Sequence, residues 1–301
     1  MSSREDVQGP PFDVALSVAE TVQRMAELLS ASLGDDARHE AREILSLMHD
    51  MPRSWAVLAH DHPLSATDVE HALDAARLRA VGAPLQYAAG RAVFRQFTLD
   101  VDARVLIPRP ETELLVDIVL ERTRMQRGGI AVDVGTGSGA IAIALASEGE
   151  FARVVGTDVS RDALDVARSN ATRCASRSCA PIELRQGSLL GPVPERGLRA
   201  IVSNPPYIAF GEAPLLPAMV RDWEPSVALF SGGDGMTFTA RLLRDAAAAL
   251  ASGGVLALEV DVRRAATVAE LAATLGAYEG VEVLLDLTGR ERFVVARRRE
   301  E

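Results

Sequence analysis

Two runs in the sequence place reactive groups at spacings that can do chemistry. The first is Val132-Asp133-Val134-Gly135-Thr136-Gly137-Ser138-Gly139, where an apolar, strand-like run gives way to a helical one. Glycines there let the backbone turn tightly and approach a ligand, and the opening turn of a helix offers unpaired N–H groups. About twenty residues on, Asp158 closes the run Val154-Val155-Gly156-Thr157, where a carboxylate can accept both hydroxyls of a ribose. The second run is Ser203-Asn204-Pro205-Pro206-Tyr207, directly after Ala200-Ile201-Val202. All five histidines (His39, His49, His60, His62 and His71) lie in the first quarter of the chain. The remaining three quarters therefore have no imidazole base or ligand, which disfavours Ser-His and Cys-His hydrolysis.

The glycine run has two readings. Counted as G-x-G-x-G it has the pattern of S-adenosylmethionine enzymes; counted through Gly135, Gly137 and Ala140 it matches the G-x-G-x-x-A of dinucleotide binders. The loop alone leaves both open. The second run decides, because Asn-Pro-Pro-Tyr at the end of a fourth sheet strand resembles the signature of methyltransferases that alkylate planar nitrogen: adenine, cytosine, guanine or a glutamine amide. The lone pair of such a nitrogen is delocalised and poorly nucleophilic. If the Asn204 side-chain oxygen and the Pro205 carbonyl each accept one N–H, the nitrogen is steered towards a pyramidal geometry and aimed at a methyl carbon. The prolines fix the backbone and remove a competing donor, and Tyr207 can stack on the planar group. Pro206 completes the expected substrate contacts. The nitrogen can lose its proton after transfer, so no histidine is needed.

These motifs need a frame. Apolar residues at three-to-four spacing predict helices over Val14–Leu33, Asp36–Met48 and, after a Ser65/Asp68 capping box, through Leu78, with a short segment at Trp55–His60. Alternation between Tyr87 and Val101 predicts a β-hairpin, and the Ile107-Pro108-Arg109-Pro110 linker delays the next helix to about Glu111. Strand-like runs then alternate with helices: Ile130–Val134, Val154–Thr157, Ile182–Leu184, Ala200–Ser203 and Val255–Val260, with a closing antiparallel pair at Val281–Asp286 and Arg292–Ala296. That rhythm predicts an α/β fold, a doubly wound, Rossmann-like sheet of seven strands. The expected division is residues 1–84 helical, 85–110 hairpin linker and 111–301 cofactor-binding and catalytic.

Over nearly its whole length the sequence resembles the protein-(glutamine-N5) methyltransferases that modify peptide chain release factors, the PrmC/HemK family. The likeness rests on Gly82–Tyr87, the linker Val105-Leu106-Ile107-Pro108-Arg109-Pro110-Glu111-Thr112-Glu113, the loop Asp133–Gly139, Asp158, Asn204–Tyr207, Glu224-Pro225 with Ala228-Leu229, Gly232–Gly235 and the stretch Asp286–Arg292. The resemblance implies a class I methyltransferase with S-adenosylmethionine as cofactor and the glutamine of a Gly-Gly-Gln loop as substrate. The helical N-terminal domain would help to hold the factor. It places the cofactor on Gly135, Thr136, Gly137, Ser138, Gly139, Asp158, Ser188, Leu189 and Asn204, and the glutamine on Asn204, Pro205, Pro206 and Tyr207. Arg109 and Glu111 would shape the pocket wall or, equally, pair with each other to pin the linker.

The sequence departs from that family in three places. Ser188 stands where an acidic residue commonly lies beside the adenine, Leu258-Glu259-Val260-Asp261-Val262 lacks the glycine expected after the glutamate, and Ala83 stands where a glutamate is common. Ser188 carries no charge, so weaker cofactor affinity is expected. Alternatives are an N-methyltransferase acting on adenine or another exocyclic amine of nucleic acid, and a non-catalytic S-adenosylmethionine-binding module. Composition weighs against an extended nucleic-acid footprint: the net charge is −10, and the region up to Arg104 has 10 basic against 16 acidic residues. All 32 basic residues are arginine, which excludes Schiff-base lysine chemistry. Cys174 and Cys179 lie in a polar stretch without histidine and read as two thiols, not as a metal or redox site. No apolar run reaches the length of a membrane span and the N-terminus lacks a signal-peptide layout, so a cytoplasmic, monomeric enzyme without metal is expected.

Overall fold

The computed structural model describes residues 15–300, in two compact units: one ending at Gly90 and one starting at Arg91. Among the described residues no helix is long and apolar enough to cross a membrane.

The first unit is helical. Its first helix is Val18–Leu33, started by Ser17 and Glu20, which exchange side-chain and backbone hydrogen bonds as a capping box. Val14, the expected start, lies outside the described residues. Helices Ala37–Met48 and Ala66–Ala80 pack on the first through Val22, Met25, Leu29, Ile44, Leu45 and Leu73. The predicted Ser65/Asp68 box opens the helix at Ala66. Tyr87 to Ala89, expected to begin a hairpin, instead end a short helix, Leu85–Ala89, which Gly90 closes with a left-handed φ of 67°. The hairpin is correspondingly shorter, Arg91–Phe94 against Phe97–Asp100, and belongs to the second unit.

The second unit is built on a seven-stranded sheet: β1 Ile130–Val134, β2 Arg153–Asp158, β3 Ile182–Gln186, β4 Leu198–Ser203, β5 Leu250–Glu259, β6 Tyr278–Leu285 and β7 Glu291–Arg298. The spatial order is β6-β7-β5-β4-β1-β2-β3; all pairs are parallel except those made by β7. Successive residues serve opposite faces. Ala131, Ala200, Val202, Val255 and Phe293 join the core under helices Pro110–Thr123 and Ala140–Glu148, while Val132, Ile201, Leu256 and Val294 join the core under Thr237–Ala249 and Ala265–Thr274. The helix expected from Glu111 starts one residue earlier, because Pro110 fits a first helical position whose N–H needs no partner. β1 and β4 are neighbours, yet the chain leaves them towards opposite sides of the sheet, which opens a crevice at their carboxyl ends.

Candidate active site

The glycine loop follows β1 into that crevice. Gly135, Gly137 and Gly139 have φ of 76°, 52° and 84°, a region that L side chains rarely adopt. Behind the loop Asp133 is fully buried, and its Oδ2 accepts from Thr136 Oγ1 at 2.6 Å and from the Ala142 amide at 3.1 Å. Burial pushes the Asp133 carboxyl up to about 7. In front, Asp158 at the end of β2 accepts the amides of Gly137 (3.0 Å) and Ser160 (2.9 Å). Burial raises its carboxyl above the ordinary value, against those amide bonds. Asn170 closes the back: fully buried, it donates to the carbonyls of Ser138 (2.9 Å) and Asp100 (3.0 Å) and accepts the Asp100 amide (2.7 Å). The hairpin and the loop are thereby tied to one side chain.

Asn204 leaves the end of β4, one strand over. Ser203 Oγ donates to the Val134 carbonyl at 2.6 Å and locks the two strand ends together. Asn204 Nδ2 donates to Thr112 Oγ1 at 3.1 Å, and Thr112 Oγ1 donates to Glu259 Oε2 at 2.7 Å. Burial pushes the Glu259 carboxyl up to about 7, opposed by its bond from Thr112 and the charge of Arg292. Tyr207 is pushed up to about 12, first by burial and then by the Glu259 charge, so its phenol keeps its proton at neutral pH.

Two cavities meet at Asn204. One, of about 380 Å³, is lined by Gly135, Gly137, Asp158, Ser188, Leu189 and Pro206, among others; the second, of about 320 Å³, is lined by Arg109, Pro205, Tyr207, Leu216 and Arg292, among others. Leu106, Asn204 and Ala228 belong to both walls. The site thus has room for two ligands side by side, with Asn204 between them.

Residues 91–222 match the family described as Methyltransferase small domain, and residues 20–90 match the PrmC N-terminal domain. The chain is 39% identical to the release factor glutamine methyltransferase of Moorella thermoacetica, over 95% of this chain and 98% of that protein. It is 36% identical to the release factor glutamine methyltransferase of Bacillus subtilis, over 92% and 97%. The chain belongs to the release factor glutamine methyltransferase family. Its fold is also that of a methyltransferase from Pyrococcus furiosus, with a TM-score of 0.50 at 20% identity, covering 67% of this chain and 89% of that one. This family member is an S-adenosylmethionine-dependent methyltransferase with the class I fold.

The residues facing the first cavity fit that cofactor. A Cβ built on Gly135 or Gly137 meets nothing within 4 Å, so the loop leaves open space where side chains would intrude. Asp158 supplies a carboxylate, Ser188 a hydroxyl, and Val159, Leu189 and Phe238 apolar walls for a flat ring. Thr136, Ser138 and Gly139, expected among the contacts, do not line the cavity. Thr136 is turned to Asp133, the Ser138 carbonyl to Asn170, and Gly139 is packed where a Cβ would lie 3.3 Å from Ala167.

Around the second cavity the family member differs from its sequence reading. Arg109 pairs not with Glu111 but with Glu224, 115 residues away, and Glu111 lines neither cavity. Asp261 bonds Arg263 at 2.7 Å, and Arg263 and Arg264 reach Glu212 at 2.7 and 2.9 Å; the departure at Asp261 therefore anchors the segment Phe210–Leu215 beside the cavity. Thr112, Glu224 and Glu259 stand within recognisable runs of the sequence but had no role assigned there, and Asn170 was missed, although it left a local signal, a polar residue on the buried stripe of Ala163, Val166 and Ala167.

Proposed function

We propose that this methyltransferase modifies the side-chain amide nitrogen (N5) of the glutamine in the Gly-Gly-Gln motif of peptide chain release factors. The observation that carries the reading is the shared wall at Asn204, which sets a donor cavity against an acceptor cavity. Gly135, Gly137, Asp158, Ser188 and Leu189 would hold S-adenosylmethionine, with Thr136, Ser138 and Gly139 shaping the loop from behind. Bound there, the cofactor supplies an electrophilic methyl carbon on a sulfonium centre.

The protein's part is to make a poor nucleophile attack. Asn204 Oδ1 and the Pro205 carbonyl accept the two N–H groups of the glutamine amide, which holds its lone pair out of conjugation and on line with the methyl carbon. Pro205 and Pro206 bring no N–H of their own to compete. Tyr207 packs on the amide plane as a neutral phenol, and Arg109, fixed by Glu224, walls the pocket. Once alkylated, the nitrogen sheds its proton to water without a histidine. The enzyme would act in the cytoplasm, with the helical unit adding recognition surface for the folded factor.

The test is intact-mass analysis of purified release factor after incubation with enzyme and S-adenosylmethionine, followed by fragment sequencing. One methyl group on the Gly-Gly-Gln glutamine is expected. An unmodified factor, or methylation of adenine in nucleic acid in its place, overturns the reading.

A further inference from the structure

An asparagine that must present its oxygen has a difficulty, because its amide ends are alike in size and opposite in hydrogen-bonding sense. Thr112 resolves it. A hydroxyl has one proton to give, and Thr112 gives it to Glu259 at 2.7 Å. Towards Asn204 it then offers only a lone pair, which the Nδ2 end fills at 3.1 Å. A reversed amide would set Oδ1 against an oxygen with nothing to donate. Thr112 is 4% and Glu259 2% exposed, so water does not readily compete for either group. Neither residue lines either of the two cavities at the site.

We propose that Thr112 and Glu259 are positioning residues that fix the rotation of the Asn204 amide, turning Oδ1 towards the acceptor nitrogen as long as Glu259 is ionised. The inference deepens the glutamine-methylation reading and rests on it. Three parts of the chain converge to build the relay: the Pro110–Thr123 helix, the end of β4 and the end of β5. The charged and titratable groups facing Glu259 are Arg292 on β7, Arg109 and Glu111 at the start of that helix, and Tyr207 after β4. Arginine charge and the Thr112 bond favour the carboxylate, while burial and Glu111 oppose it. On protonation Glu259 becomes a donor to Thr112, whose hydroxyl hydrogen is then free to point at Asn204, and the amide loses its preferred sense. Turnover at saturating substrates should therefore fall as pH drops through the titration of Glu259.

The experiment uses the full-length enzyme and release factor, with kcat and KM for the factor and calorimetry for S-adenosylmethionine. Thr112→Val should lower kcat about 10- to 100-fold while both affinities stay within about threefold, and Thr112→Ser should recover kcat to within about threefold of wild type. Glu259→Gln should flatten the acid limb of kcat. Wild-type kcat in Thr112→Val, equal losses in the Val and Ser variants, or an unchanged acid limb in Glu259→Gln would each overturn the relay. If Thr112→Val does not fold, the Ser variant and the pH profile still decide. A readout free of turnover is hydrogen exchange of the Asn204 side-chain amide by nitrogen-15 NMR, its signal assigned by loss in Asn204→Asp. Protection that weakens as Glu259 protonates supports the relay even if the wild-type enzyme leaves release factor unmodified, an outcome that would sink only the substrate reading; protection indifferent to pH counts against the relay.

Discussion

Arg109 Nη2 donates to both carboxylate oxygens of Glu224, at 2.5 and 2.8 Å, and the Glu224 side chain is only 1% exposed. The pair staples the proline linker to the segment that encloses the second cavity. Burial already raises the Glu224 carboxyl against the pull of Arg109, so removing the cation strands a buried charge. Arg109→Ala should cost about 2–3 kcal/mol, below the roughly 3–5 kcal/mol of a fully buried pair because Arg109 is one-third exposed. Urea unfolding reads the loss, and KM for the protein substrate should rise while S-adenosylmethionine affinity holds. An unchanged midpoint would mean that the pair is ornamental.

Under the proposed mechanism, Asn204→Ala removes one of two acceptors that would orient the nitrogen. Turnover should fall about 100- to 1000-fold, corresponding to about 3–4 kcal/mol in the transition state, with cofactor affinity largely kept. Asn204→Asp keeps an acceptor and should retain partial activity. Single-turnover methyl transfer measures both; a near-wild-type rate for Asn204→Ala would place the chemistry elsewhere.

Asp158 orders the loop, and in the proposed site it would also hold the cofactor. Because each carboxylate oxygen takes one backbone amide, Asp158→Ala should weaken S-adenosylmethionine binding by about 1.5–3 kcal/mol. Asp158→Asn should lose nearly as much, since its NH₂ end would face an N–H. Calorimetric affinities within twofold of wild type for either variant would contradict this double role.

Gly235 lies where a Cβ would be 2.5 Å from the Tyr207 carbonyl oxygen and 2.7 Å from Arg264 Nε, at a φ of 72°. Gly235→Ala should cost about 1–3 kcal/mol and displace Tyr207, lowering kcat. Gly233, whose Cβ would meet nothing within 4 Å, is the control. Thermal unfolding that is equal for the two alanine variants would refute the argument.

Acidity and stability are linked through buried carboxyls. Asp133 and Glu259, both raised by burial to about 7, bind protons more tightly folded than unfolded. Their contribution is full below their ordinary carboxyl values and is lost as pH rises from about 4 to about 7. Asp286, held down to about 2 by its hydrogen bonds from Thr288 and the Arg290 amide, and Glu195, held at about 2 by Arg185, act oppositely and lose theirs as pH falls from about 4 towards 2. Calorimetry should find the melting temperature declining from pH 5 to pH 7, and less steeply in Glu259→Gln. An identical slope would rule out Glu259 as a source of the decline.

The glycine loop, Asp158 and the Asn-Pro-Pro-Tyr run were legible because each is a local event, a strand end and a turn spelled within a few residues. The order of strands and helices was legible for the same reason, through periodicity. Tyr87–Ala89 misled, since a short apolar run suits a strand or a helix, and Pro84 and Gly90 at its ends made it a helix. Between Tyr207 and Met236 no element was expected. There the chain forms the short helical segments Phe210–Leu215, Ala218–Trp223 and Ser226–Leu229, each too brief to show a period.

What the sequence determined by itself is which groups stand at the strand ends and which face of each element is apolar. What only the tertiary structure decided is partnership: Arg109 with Glu224 and not Glu111, Thr112 with both Asn204 and Glu259, Asn170 with the back of the glycine loop. Periodicity tells a side chain which way to face but not what it will meet. The partner is fixed when strands distant in sequence pack side by side, and a buried polar group must then bond whatever that packing has brought within about 3 Å.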